Sequence, residues 1–181
     1  MRRVRVPSRA KCGSWPRKRA AHPSSFARGL PAVAIPANIR HACLDPEGVG
    51  EGLRTKVNVN LGVSGDKADA FEEWRKVETA LAYGAESIMD LSNCGKTHPF
   101  RTQLIERSPA MVGTVPLYDA VGYLEKDLDT ITADDFLEVV RAHAFDGVDF
   151  VTIHAGINRR TIESFLQSGR RMNIVSRGGS L

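Results

Sequence analysis

The chain has 181 residues, 42% of them hydrophobic, and a formal net charge of +4, a balance that suits one sizeable core and excludes global disorder. No apolar run approaches the roughly 20 residues a membrane-spanning helix needs, and the basic N-terminus is not followed by a signal-peptide core; a cytoplasmic location is the default expectation. The charge averages two unlike parts, since residues 1–31 carry nine Lys or Arg and no acid, whereas all 21 acidic residues lie at or after Asp45.

Residues 1–31 scatter Arg2, Arg3, Arg5, Arg9, Lys11, Arg17, Lys18, Arg19 and Arg28 among Pro, Ser and Gly with no apolar period. They read as a disordered arm ahead of a domain at 32–181. A polyanion-binding tail or a transit peptide would share this composition, but no aromatic interleaving accompanies the charge, so nucleic acid is not an expected partner. Cys12, Cys43 and Cys94 are far apart and form no CxxC pair; they read as three reduced thiols, with no metal-ligand set in the chain.

After a short extended segment at residues 32–36, the body alternates strand-like and helix-like stretches. Strand-like runs fall at residues 57–62, 87–92, 111–115, 150–156 and 174–181. Between them the spacing predicts a helix over 66–83, with Asp66 as cap, a stripe of Ala70, Trp74, Val77 and Leu81, and Gly84 as stop. Further helices are predicted over 99–106, after Thr132-Ala133-Asp134-Asp135 with Phe136, Val139, Val140, His143 and Ala144 buried and Gly147 as stop, and over 161–167. This pattern is an α/β fold with a parallel sheet. It matches a partial TIM (β/α)8 barrel with about five of eight strands, in which ligands bind beyond the carboxyl ends of the strands.

Those ends carry Asn58 and Asn60, then Asp90, Ser92 and Asn93, then Thr114 with nearby Tyr118, then His154, then Ser176 and Arg177. Turn formation accounts for single members such as Ser92-Asn93, but hydrogen-bonding side chains at five successive ends point to a ligand. Arg177-Gly178-Gly179 offers a guanidinium and close backbone access, which suits a phosphate. His154 is the side chain able to move a proton near neutrality. Met89, by alternation alone, reads as core.

These strings resemble the phosphomethylpyrimidine synthase (ThiC) family: Ile35-Pro36-Ala37-Asn38, Asn58-Val59-Asn60-Leu61-Gly62, Met89-Asp90-Leu91-Ser92, Val112-Gly113-Thr114-Val115-Pro116, Thr152-Ile153-His154-Ala155-Gly156 and Val175-Ser176-Arg177-Gly178-Gly179. The resemblance runs from about Phe26 to Leu181. It implies a radical S-adenosylmethionine lyase of thiamine biosynthesis on a TIM barrel, with a [4Fe-4S] cluster and a divalent metal, zinc, that rearranges 5-aminoimidazole ribotide into hydroxymethylpyrimidine phosphate. It places substrate contacts on Asn60, Met89, Tyr118, His154, Ser176, Arg177 and Gly178 and assigns no catalytic residue. The family's CxxCxxxxC cluster motif and its two metal-binding histidines have no counterpart in these 181 residues. The resemblance therefore implies a fragment, inactive by itself, completed by a second polypeptide or further sequence, with a homodimer as a compatible assembly. The paralogous 5-hydroxybenzimidazole synthase and an inactive remnant are the alternatives.

Overall fold

The computed structural model describes residues 33–63, 69–93, 96–124 and 126–172. Strand β1 (Val33–Ala34) pairs antiparallel with β2 (Val49–Gly50), a small hairpin of which the second strand is not apparent in the sequence. The main sheet then begins: β3 (Asn58–Leu61), helix α1 (Ala70–Ala82), β4 (Ser87–Asp90), α2 (His98–Arg107), β5 (Met111–Thr114), α3 (Pro116–Leu124), α4 (Ala133–Asp146), β6 (Phe150–Val151) and α5 (Arg159–Gln167). Its four strands are parallel and stand in sequence order, β3-β4-β5-β6. Sequential order with a helix in every connection is the winding of a barrel segment, whereas a doubly wound sheet reverses at a switch point. What these residues establish is a parallel α/β sheet compatible with part of a barrel.

Alternation along the strands divides the sheet into two faces. Leu61, Ile88 and Val112 point to one side and are buried against Val77 and Ala80 of α1 and Phe100, Leu104 and Ile105 of α2. Trp74 closes the edge of this core, its ring 5.6 Å from that of Phe100 in an edge-on arrangement. Full burial of side chains such as Leu104 and Ile88 contributes about 1.5–3 kcal/mol each. Glu73 is buried among these apolar groups because its carboxylate accepts the Gly62 N–H at 2.9 Å and so satisfies the backbone where β3 ends.

Helix boundaries follow local chemistry. Asp69, not Asp66, caps α1, accepting from the N–H groups of Phe71 and Glu72; Asp66 lies outside the described residues. Ala85 N–H donates to Ala80 O and Gly84 N–H to Leu81 O, a closing motif that requires the positive φ of +80° at Gly84. Gly147 (φ +104°) ends α4 in the same way. At the start of α4, Thr132 and Asp135 form a reciprocal capping box. Val139 and His143 are the buried members of that helix; Phe136 and Val140 are half-buried and Ala144 is exposed.

Two expectations change. The run at 150–156 is a strand only over Phe150–Val151. The neighbouring β5 stops at Thr114 so that Pro116 can begin α3, and the ladder ends with Thr152 N–H donating to Thr114 O at 2.9 Å. The run at 174–181 lies outside the described residues. Cys43 is disulfide-bonded with its partner outside the described residues, so the expectation of three reduced thiols fails there; its Sγ sits 3.1 Å from the Glu106 carbonyl.

Gly113 shows how tightly the second face is built. A Cβ at this position would overlap the Phe150 ring, which lies directly over it. Gly113→Ala should therefore destabilise by about 1–3 kcal/mol in thermal unfolding, and Phe150→Leu in the same chain should recover part of the loss; equal melting temperatures for Gly113→Ala and wild type would refute the contact.

Candidate functional site

The sheet face turned away from the helices carries Asn58 and Asn60, Ser87 and Met89, Met111 and Gly113, Phe150 and Thr152. In register, Asn60 stands beside Met89, Met89 beside Gly113 and Gly113 beside Phe150. Asn58 and Asn60 are exposed, and Met89 and Phe150 half-buried. A polar chain crosses this surface: Ser87 Oγ donates to Asn58 Oδ1 at 2.8 Å, and Asn58 Nδ2 donates to Asn60 Oδ1 at 2.8 Å. Held in that order, the Asn60 amide has its own NH2 left to donate. Thr152 Oγ1 lies 3.9 Å from Met89 Sδ and ties β6 to β4 across the missing side chain of Gly113.

Tyr118 stands in the first turn of α3, whose start is fixed by Pro116 and by Tyr118 N–H donating to Val115 O at 2.9 Å. Its ring faces that of His154, with centroids 6.0 Å apart and planes inclined by 34°. Both residues are half-buried. The structure thus pairs Asn60 with Met89 and Tyr118 with His154, and links the two pairs through Thr152, two residues ahead of His154. Ser176, Arg177 and Gly178 lie outside the described residues. Alternation alone assigns Met89 to the core, yet it lies on the open face. Thr152 and the Gly113–Phe150 floor escape a reading that looks only for polar strand ends.

Two other strand-end candidates belong to the opposite side. Asp90 and Thr114 share the helix-facing parity of Ile88 and Val112 and are buried. Asp90 Oδ1 accepts from Ser92 N–H at 3.0 Å, and Ser92 Oγ in turn accepts from Val63 N–H at 3.0 Å. These residues hold the strand ends together. Thr114 Oγ1 meets His143 Nδ1 at 2.8 Å, the entry to a buried polar network among α2, α3 and α4.

Burial drives the Asp90 carboxyl pKa above its ordinary value, with the Ser92 hydroxyl and backbone opposing. A raised carboxyl pKa means that the folded state holds the proton more tightly. The associated stability is complete below the unfolded pKa of about 3.9 and is lost as pH rises through the folded value. Asp90→Asn keeps an oxygen for Ser92 N–H, so its melting temperature should equal or exceed wild type at neutral pH and its pH profile should be flatter. A clear loss at neutral pH would show that the ionised carboxylate is needed.

For Asp119 the balance is reversed. Burial raises its pKa, but hydrogen bonds from His143 and Thr97 and the charge of Arg101 outweigh burial and leave it below the ordinary value. Among the described residues no group of three or more His, Cys, Asp or Glu is arranged to hold a metal ion. None of the helices among the described residues is long and apolar enough to cross a membrane.

The sequence profile of the radical SAM ThiC family matches residues 23–181. Over 149 residues the chain is 64% identical to phosphomethylpyrimidine synthase of Campylobacter jejuni subsp. jejuni serotype O:23/36 (strain 81-176), covering 82% of this chain and 35% of that protein. It is 61% identical over the same length to phosphomethylpyrimidine synthase of Clostridium perfringens (strain 13 / Type A), covering 34% of that protein. The chain thus spans about a third of the length of the curated relatives it matches. An ordered series of strand-end motifs, a parallel sheet wound in sequence order and a profile match over most of its length place this chain in the radical SAM ThiC family.

Proposed function

We propose that this chain supplies one wall of the substrate pocket of a phosphomethylpyrimidine synthase, the thiamine-pathway enzyme that converts 5-aminoimidazole ribotide into hydroxymethylpyrimidine phosphate. The single observation that carries this reading is that Asn60 and Met89 on two strands, Tyr118 at a helix start and His154 in the segment after β6 lie at the same end of one parallel sheet, where such sheets bind ligands. The names of the relatives favour the pyrimidine synthase over the benzimidazole paralogue.

In this reading the four strands are consecutive members of a (β/α)8 barrel and the open face is its lumen. The remaining strands come from further sequence or a second polypeptide, and a homodimer is compatible with the same pocket. The inclined rings of Tyr118 and His154 form a flat wall for a planar imidazole, the Asn60 amide donates to a ribose or phosphate oxygen, and Met89 with the Gly113–Phe150 floor keeps water from the sugar. Ser176, Arg177 and Gly178 suit the phosphate. This reading assigns the [4Fe-4S] cluster, the zinc and the lyase chemistry initiated from S-adenosylmethionine, all implied by the family, to other parts of the enzyme. What these residues do is bind, orient and exclude water.

The test is a chimera in which the matched residues of this chain replace their counterparts in the Campylobacter jejuni synthase. Formation of hydroxymethylpyrimidine phosphate from 5-aminoimidazole ribotide is the expected result. A folded chimera, loaded with cofactors, that binds no ribotide would refute the proposal.

A further inference from the structure

Beneath Tyr118 lies a polar network that the binding residues do not include. Asp119, the next residue on α3, is 4% exposed. Its Oδ1 accepts from Thr97 Oγ1 at 2.8 Å, and its Oδ2 accepts from Arg101 Nη1 at 3.0 Å and faces His143 Nε2 at 2.9 Å. The other ring nitrogen of His143 meets Thr114 Oγ1, at the end of β5. Arg101 also donates to Thr97 Oγ1 at 3.1 Å and, from Nε, to Asp146 Oδ2 at 2.8 Å. One carboxylate therefore joins the start of α3 to α2, α4 and the tip of β5. A helix start held by a single hydrogen bond at its N-terminus is free to swing; one held at Asp119 from three sides is not, and Tyr118 is fixed with it.

We propose that Asp119 is a positioning residue of the pocket: it locks the first turn of α3 so that the Tyr118 ring stands against His154. The functional meaning rests on the reading of Tyr118 and His154 as substrate contacts, but the positioning itself is measurable without substrate. The ionised state of Asp119, held below the usual carboxylate range against the opposing effect of burial, agrees with a group whose charge is needed where it sits. Charged hydrogen bonds of this kind are directional as well as strong.

The experiment uses the full 181-residue chain without ligand, following the His154 ring-proton resonances by NMR together with thermal melting. Tyr118→Leu first identifies the ring-current contribution of Tyr118 to His154. Asp119→Asn, and the milder Thr97→Val, which deletes one hydroxyl donor while keeping volume, are then expected to lose part or all of that same contribution while the chain stays folded. If both variants only lower the melting temperature and leave His154 at its wild-type position, Asp119 is a stabilising group and the proposal falls. If Tyr118→Leu itself leaves His154 unmoved, the ring contact and the proposal fall together. Adding 5-aminoimidazole ribotide to the chimeric synthase separates the two readings: a folded chimera that binds no ribotide would count against the pocket, not against the positioning seen in the free chain.

Discussion

Asp149→Ala should cost about 3–5 kcal/mol, since each donor left without its acceptor costs about 1–3 kcal/mol, and that is a large share of the stability of a single domain. Asp149 Oδ1 accepts from Asn38 N–H at 2.8 Å. Its Oδ2 accepts from Val112 N–H at 2.7 Å and from His41 Nδ1 at 2.7 Å. Both side chains of the His41–Asp149 pair are wholly shielded from solvent, and His41 Nε2 points at Ser108 O at 2.8 Å. Alanine at 149 would strand three donors at once, those of the buried His41 and Val112 and that of the half-buried Asn38. Asn38 binds the same corner from the other side, its Nδ2 donating to Ala144 O and Val148 O. Together these bonds weld the segment before β2 to the entry of β5 and β6, at the opposite end of the sheet from the candidate pocket. Equilibrium denaturation decides the matter: a midpoint within the error of wild type would mean that the corner does not carry the fold. Asp149→Asn, which retains an acceptor, should lose less.

The second large effect is expected at Arg101, 2% exposed between Asp119 and Asp146. Arg101→Met removes the charge while keeping much of the apolar stem and leaves two carboxylates without the guanidinium, a loss of about 3–5 kcal/mol near neutral pH by the same reasoning. The pH dependence supplies a sharper signature. Asp119 has a depressed folded pKa, so its contribution is present above the unfolded pKa of about 3.9 and is lost as pH falls through the folded value. With Arg101 gone, one cause of the depression disappears and the folded pKa rises. The difference between wild type and Arg101→Met should therefore be largest near neutrality and shrink as Asp119 is protonated in acid. A stability difference independent of pH would show that Arg101 acts through packing of its stem alone.

Much of this architecture is legible because local chemistry and global fold agree. The Thr132–Asp135 box, Gly84, Gly147 and the spacing of Val77 and Leu104 each mark an element through backbone capping or burial, which depend on near neighbours. The strand ends are legible as a set but not one by one. Asn60 and Asp90 both close strands in polar residues, yet register and parity put Asn60 on the open face and Asp90 among the helices, and parity within a four-residue strand depends on a register that sequence does not define. Met89 reads as core for the same reason: an apolar side chain on a ligand-facing surface looks like one on a packed surface. The role of Asp149 and the network around Asp119 join residues up to 111 positions apart, beyond the reach of any local pattern.

Which face of the sheet meets substrate is tested most directly by the affinity of the chimeric synthase for 5-aminoimidazole ribotide in three variants. His154→Ala and Asn60→Ala should each weaken binding about tenfold or more, through loss of the ring contact in the first and of a hydrogen bond to a polar ligand in the second, whereas Asp90→Asn, next to Met89 in the chain but on the helix side, should bind as wild type does. Wild-type affinity in both open-face variants, or a loss confined to Asp90→Asn, would contradict the assignment.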